Sequence, residues 1–211
     1  MKTQNATLPL TKRIIKPSLK KKAVKMSKTT FNQQGTICIV DISGYTTFVK
    51  ETQSAIGVLS VSKLLQEIIS VNNPFFSISE IEGDAILFYR YGEPYPVDII
   101  LKQFESILLA FNNMIAKLKI YGNNVTSLSI KSIVHYGEIL EFTIGRFEKL
   151  YGKPLIEAHR LLKNSIHTNT YSLITEQYLD TSSKNAVTAL LGIQQKERYD
   201  IGELCYTYFP Y

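Results

Sequence analysis

The clearest alternation of apolar and polar positions in this chain lies between residues 75 and 90, around a Glu82-Gly83-Asp84 centre. Alternation on both sides of a Gly-Asp step is typical of a tight β-hairpin, so we predict a hairpin over about 75–90 with Asp84 at its turn. Glu80 and Glu82 come just before that turn. Because turns favour Asp and Gly and edge strands often carry charge, these acids fit either an ordinary surface turn or a site for a cation.

The first predicted strand is a nearly continuous apolar run over residues 36–40. A run of this kind suits a central strand that is buried on both faces. Asp41 ends the run, and Ser43-Gly44 then opens a predicted helix. Because the start of a helix offers free backbone N–H groups and the positive end of its dipole, we interpret Ser43 and Gly44 as candidate phosphate-binding residues.

The rest of the pattern predicts helices and strands in alternation. Apolar residues at helical spacing predict helices over about 54–71, 97–119 and 153–164. Alternating or apolar runs predict strands over about 128–136, 139–144, 171–174, 187–193 and 204–209. Helices placed between hairpins favour an α+β sandwich, in which a mainly antiparallel sheet is covered by helices.

Charge divides the chain of 211 residues into two unequal parts. Residues 1–30 hold nine Lys or Arg and no acidic residue, whereas the remainder holds 15 basic and 18 acidic side chains. We therefore predict a basic N-terminal tail over 1–34, disordered or loosely docked, and one domain over 35–211. The mild acidity of the domain argues against specific nucleic-acid binding, and we expect at most weak contact of the tail with acidic surfaces.

The sequence also argues against several other functional classes. No continuous apolar run reaches the length of a membrane span, and no apolar core of signal-peptide length follows the N-terminus, so we expect a cytoplasmic protein with no transmembrane segment. Cys38 and Cys205 lie in apolar runs away from any Cys/His cluster, which argues against a disulfide framework and a zinc site. No Ser/His/Asp or Cys/His grouping indicates nucleophilic catalysis.

Asp41 and Asp84 are the residues on which the chemical hypothesis depends. If the first strand and the hairpin lie side by side in one sheet, the two carboxylates converge at one place. Two hard oxygen ligands, completed by water and substrate phosphate, suit Mg²⁺ or Mn²⁺. Because two such ions can bridge a triphosphate, activate a hydroxyl and neutralise a leaving pyrophosphate, we predict a two-metal site.

Four short blocks of sequence together resemble the catalytic domain of class III adenylate and guanylate cyclases, the nucleotidyl cyclases. They arrive in family order with family-like spacing, the similarity covers about 35–211, and within the family the chain resembles a divergent bacterial, cyclase-like branch. The resemblance implies a ferredoxin-like sheet core and a head-to-tail homodimer with composite sites at its interface. The blocks are Val40-Asp41-Ile42-Ser43-Gly44-Tyr45-Thr46-Thr47-Phe48, Glu82-Gly83-Asp84, His135-Tyr136-Gly137-Glu138, and Tyr151-Gly152 with Glu157-Ala158-His159-Arg160-Leu161.

The resemblance also implies roles for individual residues. Asp41 and Asp84 match the family's metal-binding carboxylates, and the backbone carbonyl of Ile42 matches the one that assists them. Arg160 matches the transition-state arginine, which the family supplies from the partner chain; a guanidinium spreads positive charge over phosphoryl oxygens. The alternative for Arg160 is a surface arginine held in an ion pair.

Three positions depart from the family's pattern. Ile156 stands where the family has the asparagine that orients the ribose. Glu80 stands at the position of the base-reading lysine, and Lys149 at that of the base-reading aspartate of adenylate cyclases. A carboxylate accepts hydrogen bonds from guanine N1–H and N2–H₂ and an ammonium donates to O6, so this pair suits GTP better than ATP. The alternative is that Glu80 and Lys149 form a salt bridge that fills the base pocket.

Two functions are consistent with the sequence. The first is a nucleotidyl cyclase-like lyase that converts a purine nucleoside triphosphate, GTP in preference to ATP, into a cyclic nucleotide and pyrophosphate with Mg²⁺ or Mn²⁺. The second is a catalytically silent cyclase-fold module that binds a ligand or acts as a dimeric regulatory domain in signalling. The intact metal carboxylates and Arg160 favour the first function, and the three departures favour the second.

Overall fold

A computed structural model describes residues 33–72, 75–182 and 191–211. Of the basic tail predicted over residues 1–34, only Gln33 and Gln34 lie within this part of the chain, and the first strand begins with them. The division into a tail and a domain therefore stays a prediction.

Within the described residues the chain forms eight strands and five α-helices, in an order that begins with one strand, two helices and a hairpin. The strands are β1 (Gln33–Ser43), β2 (Ser77–Glu82), β3 (Ala85–Tyr91), β4 (Ser129–Ile144), β5 (Phe147–Tyr151), β6 (Tyr171–Thr175), β7 (Ile193–Tyr199) and β8 (Gly202–Pro210). The helices are α1 (Tyr45–Glu51), α2 (Ser54–Asn72), α3 (Val97–Leu118), α4 (Lys153–Leu161) and α5 (Glu176–Thr181). Two 3₁₀ segments, Lys119–Tyr121 and Asn123–Ser127, connect α3 to β4.

The strands form one sheet in the order β2-β3-β1-β4-β6-β8-β7, and β5 pairs with the far end of β4. Every pairing is antiparallel except that between β4 and β6. The predicted α+β sandwich with a mainly antiparallel sheet is therefore confirmed. The predicted hairpin is confirmed as well, since β2 and β3 flank a turn at Gly83 and Asp84.

The central strand β1 is apolar on both sides because helices cover both faces of the sheet. Side chains alternate across a strand, so Cys38, Val40 and Ile42 join the core formed with α2 and α3. Ile37 and Ile39 point to the opposite face, where they pack against α4 residues such as Ala158 and Leu161. The polar side chain of Asp41 ends this run at the edge of the second core.

Two helices, Ser54–Asn72 and Val97–Tyr121, reach the length and apolar content of a membrane span. Neither helix is a continuous apolar run, because charged residues such as Glu67 and Lys102 interrupt the apolar ones. Length and composition are weak support for a span, because core helices meet the same criterion. Nine residues of α3 are buried, and they form much of the core between this helix and the sheet.

The chain after residue 128 differs from its prediction in four places. The strands expected over about 128–136 and 139–144 form one strand, β4, and the strand β5 was not expected. A strand was expected over residues 187–193, of which 187–190 lie outside the described residues; β7 begins at Ile193, so the expected strand is placed too early. Helix α5 was not expected, since it has six residues and follows β6 without a break. A helix this short has too few residues to show a helical apolar period.

Candidate functional site

The fold brings Asp41 and Asp84 together at one end of β1. Asp41 pairs with Ala85 of β3 on one side and with Lys131 of β4 on the other. The backbone N–H of Ile42 donates to the carbonyl oxygen of Asp84 across 3.2 Å, which extends the pairing into the hairpin turn. Asp41, Asp84 and Lys131 are named here the carboxylate end.

The electrostatics of the carboxylate end show that its two acids interact. Burial raises the pKa of Asp84, and the negative charge of Asp41 raises it further; a backbone hydrogen bond and the Lys131 ammonium act in the opposite direction. Lys131 Nζ lies 3.3 Å from Asp41 Oδ2 and donates to the carbonyl oxygen of Leu162 across 3.2 Å. Two carboxylates therefore share one ammonium, which leaves an excess of negative charge.

The chemistry of this donor set fits a divalent cation. Carboxylate oxygens are hard ligands, and Mg²⁺ is commonly held by one or two carboxylates with water and substrate phosphate completing its shell. Burial is the main cause of the raised pKa of Asp84, and repulsion by Asp41, which a cation would relieve, adds to it. Among the described residues no cluster of three His, Cys, Asp or Glu side chains is suited to hold a metal, so a cation at this end would have Asp41 and Asp84 as its side-chain ligands.

Gly44 lies in the turn that was predicted between β1 and a helix. Its φ of 86° is in the left-handed region, and a Cβ there would come within 2.9 Å of the carbonyl oxygen of Ser127, so a larger residue would be strained. Its carbonyl oxygen accepts the first hydrogen bond of α1 from Phe48 N–H across 3.0 Å. Ser43 is half-buried and ends β1. Phosphate binding by Ser43 and Gly44 stays a prediction.

Glu80 and Lys149 lie opposite each other and form an ion pair between β2 and β5. The carboxylate is 31% exposed and the ammonium 44%, so water reaches both. The pair borders a cavity of about 390 Å³ between the β2–β3 hairpin and the arm formed by β4 and β5, which we call the hairpin–arm cavity. Its lining residues are Ile78, Ser79, Glu80, Tyr89, Glu141, Arg146, Phe147, Glu148, Lys149 and Leu150. The sequence alternative of a Glu80–Lys149 salt bridge is therefore seen in the structure.

Glu141 of β4 is a second carboxylate in this cavity, and the sequence gave no reason to select it. The phenol groups of Tyr89 and Tyr91 lie near enough to this carboxylate to interact with its charge. Burial raises the pKa of both phenols, and the negative charge of Glu141 raises them further, so they stay protonated.

Helix α4 presents Ile156, His159 and Arg160 to solvent. Arg160 Nη2 lies 2.6 Å from Oδ2 of Asp200, which is in the turn between β7 and β8. Both side chains are exposed, the arginine to 44% and the aspartate to 62%. Arg160 is thus held in an ion pair within its own chain, as the alternative for this residue predicted. His159 lines a smaller cavity of about 190 Å³ with Glu80 and Glu82.

A buried polar chain anchors α4 to the sheet. His135 of β4 uses both ring nitrogens: Nδ1 is 2.8 Å from Thr175 Oγ1, and Nε2 is 3.0 Å from Glu157 Oε2. The other oxygen of Glu157 accepts from Lys153 Nζ across 2.9 Å. The hydrogen bond from His135, with help from Lys153, holds the pKa of Glu157 below its usual range despite burial. His135 is therefore a structural residue, with both ring nitrogens used in buried contacts.

Three charged residues that lie at these places, namely Lys131, Glu141 and Asp200, were not selected by the sequence analysis. Only Lys131 carries a usable signal, because it is the one Lys, Arg, Asp or Glu in the apolar strand predicted over residues 128–136. In the structure it pairs directly with Asp41. The importance of Glu141 and Asp200 depends on contacts between segments far apart in the chain, with Tyr89 and Tyr91 and with Arg160.

The family model that matches this chain is described as a protein of unknown function (DUF2652), and it covers residues 61–171. An uncharacterized protein of Mycobacterium tuberculosis, Rv2561/Rv2562, is 37% identical over 67 residues, which are 30% of this chain and 32% of that protein. The chain thus aligns with about a third of the length of this curated relative.

Solved structures of cyclases share the fold. The guanylyl cyclase Cya2 superposes with a TM-score of 0.71 at 15% identity, over 85% of this chain and 92% of that one. The adenylyl cyclase CyaB from P. aeruginosa gives a TM-score of 0.57 at 13% identity, over 87% and 97%. The guanylate cyclase domain of RhGC from Catenaria anguillulae, in complex with GTP, gives 0.55 at 14% identity, over 83% and 95%. At these identities the likeness establishes a cyclase-like fold and leaves the activity open.

Proposed function

We propose, from the premise that this chain belongs to the family of proteins of unknown function DUF2652, that it is a cyclase-like protein that binds a purine nucleoside triphosphate, GTP in preference to ATP. The proposed reaction converts this nucleotide into a cyclic nucleotide and pyrophosphate. The observation that carries the proposal is the carboxylate end, where Asp41 and Asp84 interact at the edge of the sheet with a single ammonium beside them.

The carboxylate end would hold the cation that the reaction needs. Asp41 and Asp84 would bind Mg²⁺ or Mn²⁺, in the arrangement of two ions suggested by the cyclase resemblance, and the backbone carbonyl of Ile42 would assist them. Such an ion neutralises phosphate charge and favours ionisation of a nearby hydroxyl. Lys131 would contribute one fixed positive charge from the protein, and Ser43 with Gly44 would place backbone N–H groups near the phosphates.

The chemistry requires that charge be stabilised on the α-phosphate. In cyclisation the ribose 3′-oxygen forms a bond to the α-phosphorus, the bond to the β-phosphate oxygen breaks, and pyrophosphate leaves with the electron pair. Arg160 is the residue proposed to stabilise the added charge, and it must leave Asp200 to do so. Ile156 offers no hydrogen bond to a ribose, so we expect turnover to be slow.

Self-association is part of the proposal because Arg160 is expected to act on a nucleotide bound to the partner chain. One solved structure of the same fold is described as a non-canonical dimeric guanylyl cyclase domain of the RhoGC fusion protein from Blastocladiella emersonii, so dimers of this fold occur in more than one arrangement. In this chain the β4–β5 arm exposes large apolar side chains that a second copy could cover. They are Phe142, Ile144, Phe147 and Tyr151. We propose a head-to-tail homodimer.

A product assay tests this function. The protein is incubated with GTP or ATP and Mn²⁺, and cyclic nucleotide and pyrophosphate are quantified together. We expect both products in equal amounts, more from GTP than from ATP, and none from Asp41→Asn or Asp84→Asn. Glu82→Gln is the matched control, because Glu82 is an exposed carboxylate beside the same turn. Product formation that persists in both aspartate variants would contradict the assignment.

A second function, a silent ligand-binding or regulatory module, is favoured by a separate observation. The two groups expected to act on the nucleotide base and the transition state, Glu80 and Arg160, are each held by an oppositely charged residue of the same chain. Nucleotide binding without product would support this function, and product formation would exclude it.

A further inference from the structure

The surface around the start of α2 leaves several large apolar side chains in contact with water. Three segments meet there, namely the end of α1, the first turns of α2 and the 3₁₀ segment Lys119–Tyr121, and they line a cavity of about 150 Å³. Asn124 fastens the connection between α3 and β4 against α1, because its Nδ2 donates to the carbonyl oxygen of Glu51 across 3.2 Å. We call this surface the helix corner. Its exposed residues are Val49, Lys50, Val58, Leu59, Lys117, Lys119, Ile120 and Tyr121.

Helix α2 exposes apolar side chains although its buried side contains polar ones. Four of its residues are buried, and two of these, Ser60 and Asn72, are polar. At the helix corner Val58 is 71% exposed, and Leu59 beside it is exposed as well. A surface helix of a folded domain normally turns its apolar side chains inward. Exposed apolar surface of this kind marks a place where a membrane or another macromolecule binds.

The end of α3 and the 3₁₀ segment that follows it show the same kind of exposure. Leu118 is buried, whereas Lys117 and Lys119 on either side of it are exposed. Ile120 is 79% exposed, and Tyr121 next to it is exposed too. Lys and Tyr side chains have an apolar body and a polar end, so they suit the boundary between acyl chains and headgroups of a bilayer. The segment therefore presents an isoleucine for an apolar layer, with groups suited to a headgroup layer beside it.

The helix corner is positively charged on a domain that is otherwise mildly acidic. Residues 45–62 and 112–127, which contain the corner, hold three Lys, one Glu and no other Lys, Arg, Asp or Glu. Residues 31–211 as a whole hold 15 basic and 18 acidic side chains. Within the part of the chain that the structure describes, Lys50, Lys117 and Lys119 form no salt bridge. The charge of the corner therefore favours an anionic partner.

We propose that the helix corner docks on the surface of a lipid bilayer that contains anionic lipids. Val58 and Ile120 would enter the boundary between headgroups and acyl chains, and the three lysines would contact the headgroup phosphates. Stable attachment of a peripheral protein takes two signals, and here one is apolar and the other electrostatic. Each lysine close to an anionic surface strengthens binding by about fivefold. The inference is independent of the proposed function, because it requires no bound nucleotide.

A lipid surface fits these observations better than a protein partner does. The core of a protein–protein interface is depleted of lysine, whereas three of the eight exposed residues at the helix corner are lysines. Residues 1–30 add nine Lys or Arg to the same chain, which increases its attraction to an anionic bilayer. The corner also adjoins the carboxylate end, since β1 ends at Ser43 and α1 begins at Tyr45. Docking would thus hold the carboxylate end close to the membrane.

Sedimentation of the full chain with lipid vesicles tests the inference. One set of vesicles contains equal parts of phosphatidylserine and phosphatidylcholine, and the other contains phosphatidylcholine alone. We expect binding to the first set to be at least about tenfold tighter and to weaken as salt is added. The combined substitutions Lys50→Gln, Lys117→Gln and Lys119→Gln should reduce the affinity for the first set by about tenfold or more.

Matched variants separate the helix corner from the charge of residues 1–30, which all of these proteins retain. Lys102→Gln, Lys153→Gln and Lys196→Gln together remove three exposed lysines of other surfaces and should reduce the affinity by less than about threefold. Ile120→Ser removes apolar contact with the bilayer and should reduce the affinity about three- to tenfold. Ile193→Ser, at an exposed isoleucine of β7, should leave it unchanged.

Fluorescence shows whether the helix corner itself enters the bilayer. The chain has no tryptophan, so Tyr121→Trp places a single indole at the corner. Its emission should shift to shorter wavelength when phosphatidylserine vesicles are added, because the indole moves into a less polar layer. Tyr211→Trp is the control, since Tyr211 is exposed to a similar degree and its hydroxyl lies 3.4 Å from Oε1 of Glu105 in the first half of α3. The emission of this control should not shift.

Three outcomes would overturn the inference. They are absence of binding to the phosphatidylserine vesicles, equal losses of affinity in the two lysine variants, and unshifted emission of Tyr121→Trp on vesicles that bind the protein. Self-association in solution that Ile120→Ser abolishes, without vesicle binding by the parent protein, would assign the corner to a second copy of this chain instead. No nucleotide or metal ion enters these measurements, so a failure of the inference is distinct from a failure of the proposed function.

Discussion

The carboxylate end and the hairpin–arm cavity both contain acidic and basic side chains, but the acidic side chains have different partners in the two regions. At the carboxylate end, Asp41 and Asp84 repel each other and share the ammonium of Lys131. In the cavity, Glu80 has its own ammonium and Glu141 has two phenol groups nearby. One region is left with uncompensated negative charge, and the other has a partner for each of its inner carboxylates.

The difference indicates that the two parts of the proposed nucleotide site pair their charged side chains in different ways. A surplus of negative charge is tolerated where a cation can relieve it, so the carboxylate end keeps the chemistry that the cyclase resemblance implies. In the hairpin–arm cavity, by contrast, the carboxylate of Glu80 is paired with the ammonium of Lys149 of the same chain. Metal binding and base selection should therefore respond to different substitutions.

Helix α4 is the element that both regions share, so loss of its anchor should have the largest effect. The carbonyl oxygen of Leu162, just after α4, accepts from Lys131, and His159 lines a cavity with Glu80. Glu157→Ala leaves buried His135 without its Nε2 partner, and we expect the free energy of unfolding to fall by about 2–4 kcal/mol in urea denaturation.

The control for this variant lies on the same polar chain. Lys153 also contacts Glu157, but its side chain is 75% exposed, so Lys153→Ala should cost less than about 1 kcal/mol. Equal losses in the two variants would show that the buried His135–Glu157 contact is not what anchors the helix.

The carboxylate end should respond to one substitution in two opposite ways. Asp84→Asn removes the repulsion with Asp41, so the melting temperature without metal should rise. The same substitution should abolish the stabilisation by Mn²⁺, which for the parent protein is about 2.7 kcal/mol at a hundred times the dissociation constant. Thermal melts with and without Mn²⁺ measure both effects. Glu82→Gln should behave like the parent protein, and a parent protein with no metal-induced shift would rule out the metal site.

The contributions of Asp84 and Glu157 to the free energy of unfolding should change in opposite directions as the pH rises. The pKa of Asp84 is raised on folding, so its contribution is present at low pH and is lost as the pH rises from about 4 through its folded pKa. The pKa of Glu157 is lowered, so its contribution is present above about pH 4.5 and is lost as the pH falls through its folded pKa. Urea denaturation across this range should show the first slope removed by Asp84→Asn and the second by Glu157→Gln. Unchanged slopes would contradict these assignments.

The smallest effect is expected where an exposed ion pair holds Arg160. Asp200→Asn should free the guanidinium, and we expect affinity for a GTP analogue in Mn²⁺ to rise about two- to fivefold, because exposed pairs are worth at most about 1 kcal/mol. Glu203→Gln is the matched control, since it breaks the Lys196–Glu203 pair on the same β7–β8 hairpin. An equal gain in both variants would indicate a general charge effect.

Local pattern was sufficient to predict the hairpin with Asp84 at its turn, whereas the meeting of Asp41 with Asp84 also required that the first strand and the hairpin be neighbours in one sheet. The hairpin follows from apolar alternation, and the meeting follows from the pairing of β1 with β3. The contact between Arg160 and Asp200 joins positions 40 residues apart, and the approach of Tyr91 to Glu141 depends on where β1 begins. Such contacts depend on strand register and side-chain direction, which no local period of the sequence encodes.

Calorimetry of the parent protein with a non-hydrolysable GTP analogue, in Mn²⁺ and in chelator, tests most directly whether the two regions form one nucleotide site. We predict measurable binding in Mn²⁺, at least about tenfold weaker binding in chelator, and weaker binding of the ATP analogue under both conditions. No measurable affinity for either analogue at millimolar concentration with Mn²⁺ present would contradict the proposed site.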